Sequence, residues 1–151
     1  MSMRPYQKHD REACLALLAA NTPRHFATEE RADFAAYLDA GPEHFCVVEQ
    51  GGAVVACGGI ETFPSRGEAE FRWVMVSPAA QGAGHGRRLM QESAAHLLAD
   101  TTFRRILVHT TPGSAGFFRK LGYRSETLRT EADYWTRGLH LELLALHLVD
   151  G

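Results

Sequence analysis

The stretch "VMVSPAAQGAGHGRRLM", Val74 to Met90, passes from an apolar run into an amphipathic one, with Gly82, Gly84 and Gly86 at alternate positions between them. Glycine is a poor helix residue, costing about 1 kcal/mol relative to alanine in a helix interior. Three at a helix entrance imply a backbone that must come close to something. Successive N–H groups at a helix N-terminus have no intrahelical acceptor, and the helix dipole favours negative charge there. Without Cβ atoms these donors can approach a phosphate, with Arg87 and Arg88 adding positive charge beside them. The same spacing also suits a glycine-rich connector that holds no ligand.

Two common phosphate folds are excluded by spacing. A dinucleotide fingerprint needs G-x-G-x-x-G, but Arg87 stands where its third glycine belongs. A P-loop needs Gly-Lys-Ser/Thr, which does not follow. Nor do strands and helices alternate regularly, as a doubly wound sheet requires.

Outward from this loop, "GEAEFRWVMVS" (Gly67 to Ser77) reads as the preceding strand and "GHGRRLMQESAAHLLAD" as the following helix. That helix is expected to bury Gly86, Leu89, Met90, Ser93, Ala94 and Leu97. Further upstream, "MRPYQ" is a short strand and "HDREACLALLAAN" a helix with Asp10 as a candidate N-cap. "TEERADFAAYLDAG" is a second helix, led by Thr28 and closed by Gly41. "HFCVVEQGGAVVACGGIETF" reads as a hairpin turning at Gly51-Gly52. Downstream come the strand "RRILVHTT", a short helix "SAGFFRKLG", a polar-aromatic loop "YRSETLRT" and a last strand "LHLELLALHL".

The chain has 151 residues, 45% hydrophobic and 23% charged, with a formal net charge of −2, which fits one soluble α+β domain spanning 1–151. No basic stripe marks a nucleic-acid binder. Three cysteines without a CxxC pair indicate neither a disulfide framework nor a zinc site, and no histidine pair has metal-ligand spacing. "ACLALLAAN" is too short to span a membrane and follows Asp10 and Glu12, where a secretory signal would be basic. A cytoplasmic protein with no metal, nucleic-acid or membrane partner is expected.

Gln81 to Gly86, "QGAGHG", resembles the Q/R-x-x-G-x-G/A motif of the GNAT superfamily of acetyl-CoA-dependent N-acetyltransferases. "AGFFRKLGY", Ala115 to Tyr123, is similar to that family's late-helix motif, and the order of elements agrees along essentially the whole chain. The resemblance implies a mixed sheet of six to seven strands, flanked by about four helices, with the fourth and fifth strands splayed apart. It implies acetyl-CoA as co-substrate and direct transfer of the acetyl group to a primary amine. Gln81, Gly82, Ala83, Gly84, His85, Gly86 and Arg87 would hold the diphosphate. Backbone groups around Met75 and Val76 would pair with the pantetheine arm, and Thr110 and Thr111 would approach it.

Glu70, eleven residues before Gln81, matches the glutamate base of the histone-acetylating branch. Glu68 beside it is a decoy, and either carboxylate also fits a solvated strand edge. The family's proton-donating tyrosine is replaced by Phe118, expected to pack against the cofactor. Ser114, Tyr123, Tyr134 or a water are substitutes. Because Phe118 has no proton to give, a non-catalytic acyl-CoA-binding module is the alternative to an active enzyme. His85 could lie near phosphate or be a solvated loop residue, and His109 could serve the reaction or be an ordinary sheet histidine. In "RTEADYWTRG", Asp133, Tyr134 and Trp135 together would suit a cationic amine through charge and ring faces. The leucines of the last strand leave a homodimer paired along that strand open.

Overall fold

The computed structural model describes residues 2–22, 26–98, 102–110, 112–136 and 139–147. Seven strands are hydrogen-bonded in the order β1-β2-β3-β4-β5-β7-β6. They are β1 (Ser2–Pro5), β2 (Phe45–Gln50), β3 (Ala53–Phe63), β4 (Glu68–Val76), β5 (Arg105–Thr110), β6 (Arg124–Thr136) and β7 (Leu139–His147). Four α-helices, α1 (Arg11–Ala20), α2 (Glu30–Asp39), α3 (His85–Leu98) and α4 (Pro112–Lys120), complete the described α+β architecture. The chain clusters into two compact units, one of residues 1–60 and 72–94, the other of residues 61–71 and 95–151.

In the first unit, α1 buries Cys14, Leu15, Leu17 and Leu18, the side marked by their helical spacing. These pack with Phe34 and Leu38 of α2, Phe45 and Val47 of β2, Cys57 of β3 and Met75 of β4. The β2–β3 hairpin turns on Gly51 and Gly52, both left-handed at φ +59° and +80°, as a primed turn demands. Both helix starts differ from expectation. Asp10 occupies the N-cap position of α1, but its carboxylate accepts from the Arg4 guanidinium at 2.8 Å and from the Gln7 N–H at 2.8 Å. Arg4 also reaches Glu49 on β2. The α2 helix starts at Glu30 without a Thr28 cap, and the Glu30 carboxylate itself accepts the Ala27 N–H at 2.6 Å. Burial and the neighbouring Asp33 and Glu29 raise the Glu30 carboxyl, against the lowering effect of that bond.

In the second unit, β5 runs parallel to β4, with Glu68, Ala69 and Glu70 opposite Arg105, Ile106 and Leu107. That ladder ends at Glu70, although β4 continues to Val76 and β5 to Thr110. The expected loop "YRSETLRT" is instead the start of β6, a 13-residue strand that also takes in most of "RTEADYWTRG". Its mixed polar and charged composition, without a regular alternation, concealed it. Its register against β7 breaks between Ser125 and Thr130 and again between Glu131 and Thr136. β7 itself lies between β5 and β6 with both edges paired, so a dimer cannot be built by pairing that strand across two copies. Among the described residues, no helix is long and apolar enough to cross a membrane.

Candidate active site

The chain leaves β4 under tight restraint. The Val76 carbonyl accepts from the Asn21 side-chain amide at 3.1 Å and more distantly from Gln81, and the Ser77 N–H donates to the Val55 carbonyl at 2.8 Å. Asn21 is buried at the end of α1, where its amide also donates to the Leu17 carbonyl at 2.8 Å. A short turn at Pro78–Ala80 then leads to Gly82 and Gly84, held at φ +88° and +84°. Such angles disfavour every residue with an L-Cβ. A Cβ at either position would meet nothing within 4 Å, so backbone angle and not crowding selects glycine, and the space beside the loop is open. The first α3 N–H groups follow at once, with the first helical bond running from the Arg88 N–H to the Gly84 carbonyl at 3.0 Å. A diphosphate fits this loop: exposed backbone, open space and the N-terminal end of a 14-residue helix.

Its side chains divide. His85 is buried, so it is not a solvated loop residue. Gly86 is buried in the first turn of α3. Arg87 is exposed, whereas Arg88 is tied to Glu92 at 2.8 Å, one turn along the helix.

Upstream in the same strand, Trp73 has φ +55°, the one non-glycine residue with positive φ among those described. Such strain persists only where the surroundings over-determine it. Its indole stacks on Phe34 at 4.8 Å and Phe26 at 6.2 Å, and the buried Nε1–H has no hydrogen-bond acceptor among the described residues.

Two carboxylates of β4 are separated by their partners. Glu68 is gripped by Arg105, whose Nε lies 2.7 Å away, and by Arg66 at 3.6 Å. Glu70 has its Oε1 2.7 Å from Nδ1 of His109 on β5, both side chains about four-fifths buried at 18% and 22% exposure. A guanidinium holds its charge at every working pH, whereas imidazole is the side chain built to exchange a proton near neutrality.

The sequence model of the Acetyltransferase (GNAT) family matches residues 11–123. This chain belongs to the GNAT acetyltransferase family. A GNAT-family protein from Desulfovibrio desulfuricans superposes with a TM-score of 0.80 at 17% identity, over 98% of this chain and 99% of the other. An aminoglycoside 6'-N-acetyltransferase complexed with coenzyme A gives 0.77 at 12% identity, over 100% and 99%. An amino-acid acetyltransferase of Ralstonia nicotianae (strain ATCC BAA-1114 / GMI1000) is 30% identical over 83 residues, 55% of this chain; those residues span only 18% of that relative's length.

Within the GNAT frame, Met75 offers only backbone, because its side chain is in the core. Phe118 is buried, its ring against Tyr123 at 6.1 Å and Phe117 at 5.1 Å, so its packing partners are this chain's own aromatics. Tyr123 is buried as well, and burial drives its phenol well above the ordinary range. Thr110 is buried at the end of β5, and Thr111 lies outside the described residues. Asp133, Tyr134 and Trp135 lie on β6, not on a loop. Two residues were not legible in advance: Trp73, whose strain has no sequence signal, and Asn21, which stood only as the last residue of the first helix. An amide at a helix end is a weak hint of such a tie.

Proposed function

We propose that this GNAT protein is one catalytic domain that transfers an acetyl group from acetyl-CoA to the nitrogen of a primary amine. The observation carrying the reading is the Gly82–Gly84 backbone, left-handed twice, facing open space at the start of α3. Gln81, Gly82, Ala83, Gly84, Gly86 and Arg87 would hold the diphosphate, together with the main chain of His85. The main chain of Met75 and Val76 would meet the pantetheine arm, while Asn21 keeps the Val76 carbonyl turned to the protein. Acetyl-CoA supplies an acyl group already activated as a thioester.

Glu70 supports catalysis over mere binding: its partner can exchange a proton, which the partners of Glu68 cannot. An amine attacks only once it has lost its ammonium proton, so a group that receives that proton sits at the centre of the reaction. Acceptor selectivity is assigned to Asp133, Tyr134 and Trp135, with a small amine or the amino group of an amino acid as the acceptor class, in keeping with the amino-acid acetyltransferase of Ralstonia. The free cysteines Cys14, Cys46 and Cys57 are consistent with the reducing cytoplasm.

Phe118 favours a second reading, an acyl-CoA-binding module without turnover, because the ring offers no acid for the leaving thiolate. Thiol release from acetyl-CoA across a panel of amines separates the two. Release that falls steeply in Glu70→Gln supports the enzyme. Binding of acetyl-CoA without release from any amine supports the module.

A further inference from the structure

Resting on the acetyl-transfer reading, we infer that His109 is the group that takes the amine's proton and that Glu70 is its positioning residue. The geometry that carries this is the 2.7 Å approach of Glu70 Oε1 to Nδ1 of His109. The contact is a close ion-pair approach rather than an aligned hydrogen bond, and a carboxylate this near Nδ1 favours the ring proton on that nitrogen by charge, leaving Nε2 as the basic one. Imidazole is the side chain whose chemistry best suits taking up and releasing a proton near neutrality.

β4 carries Glu68 before Glu70 and Arg72 after it, and Glu68 is already bound by Arg66 and Arg105. Along β5, Arg105 is engaged with that same Glu68. β7 sets Leu143 opposite His109 and Ala145 opposite Leu107, with His147 farther away, opposite Arg105. Glu70 is thus the carboxylate that addresses His109 among these neighbours.

The step balances as follows. The acceptor ammonium gives one proton to Nε2, and the neutral amine's lone pair forms the C–N bond to the thioester carbonyl carbon. The C–S bond breaks with its electron pair on sulfur. The surplus proton on the new amide nitrogen passes to the thiolate, giving free coenzyme A. The imidazolium returns its proton to water.

The test compares His109→Gln, Glu70→Gln and the double variant by thiol release as a function of pH, with the acetyl-CoA thermal shift as a check that each variant is folded and binds. His109→Gln should lower kcat/KM by about 10²-fold or more and abolish the acid limb of the profile. Glu70→Gln should cost less and keep that limb, and the double variant should be no worse than His109→Gln alone. In ¹⁵N spectra the His109 ring should be protonated at Nδ1 in the wild type and lose that preference in Glu70→Gln. The proposal is overturned if Glu70→Gln is the more damaging change, if the acid limb survives in His109→Gln, or if the wild-type ring is protonated at Nε2. A wild type that binds acetyl-CoA but acetylates no amine overturns the transfer reading itself, and the dyad's role with it.

Discussion

A backbone at φ +88° or +84° is accessible to glycine at little cost, while an L-residue in that region loses roughly 1–2 kcal/mol. Because a Cβ at Gly82 or Gly84 would touch nothing, Gly84→Ala isolates that backbone penalty. The variant should melt lower, by roughly 2–4 °C per kcal/mol lost, and should lose most of its stabilisation by acetyl-CoA; differential scanning calorimetry with and without ligand reads both. The two glutamates of β4 make a second residue-scale contrast. Glu68→Gln should leave turnover near wild type, because its carboxylate only neutralises Arg105 and Arg66. Equal loss in the Glu68 and Glu70 variants would remove the distinction between them. Sequence alone preferred Glu70 to Glu68 only through the family resemblance, since alternate positions on a strand look the same until their partners on other strands are known.

At the scale of elements, Gly58 shows how β3 meets α3. A Cβ there would lie 2.8 Å from Leu89 Cδ2 and 3.2 Å from the Val74 backbone, and the backbone cannot step aside. Gly58→Ala should destabilise by about 1–3 kcal/mol through overpacking, measurable by urea unfolding, and Leu89→Ala on top should not fully relieve it. The elements were largely legible: the spacing of Cys14, Leu17 and Leu18, the Gly51-Gly52 turn and the glycine entrance to α3 each state a local geometry directly. β6 was not, because its run Arg124–Thr136 mixes charged, hydroxyl and aromatic residues with no regular alternation to read. The strained backbone at Trp73 was hidden for a different reason. Its cause is tertiary, in the stack with Phe34 and Phe26, and tryptophan is an ordinary strand residue.

For the molecule as a whole, two perturbations reach the global stability. Acetyl-CoA at a hundred times its dissociation constant should add about 2.7 kcal/mol, a rise of roughly 5–10 °C in Tm, and adenosine alone should not reproduce it. Acid should act through Asp10, whose carboxyl is held below the ordinary range first by its hydrogen bonds from Arg4. The folded chain binds that proton more weakly than the unfolded one. Its contribution is therefore complete above the ordinary carboxylate range and is lost as pH falls through the depressed folded value. Asp10→Asn should cost about 1.5–3 kcal/mol at pH 7, and its Tm should fall less steeply than wild type on acidification.

The stacked indole of Trp73 has one more use. The chain holds only two tryptophans, and they fall one in each compact unit, Trp73 in the first and Trp135 in the second. Replacing either by phenylalanine yields a chain whose fluorescence reports a single half. β3 and β4 each contribute residues to both halves, so neither half can lose its strands without disrupting the other's. The two emitters should then go dark or shift along one superimposable curve, the optical signature of a chain that unfolds all at once.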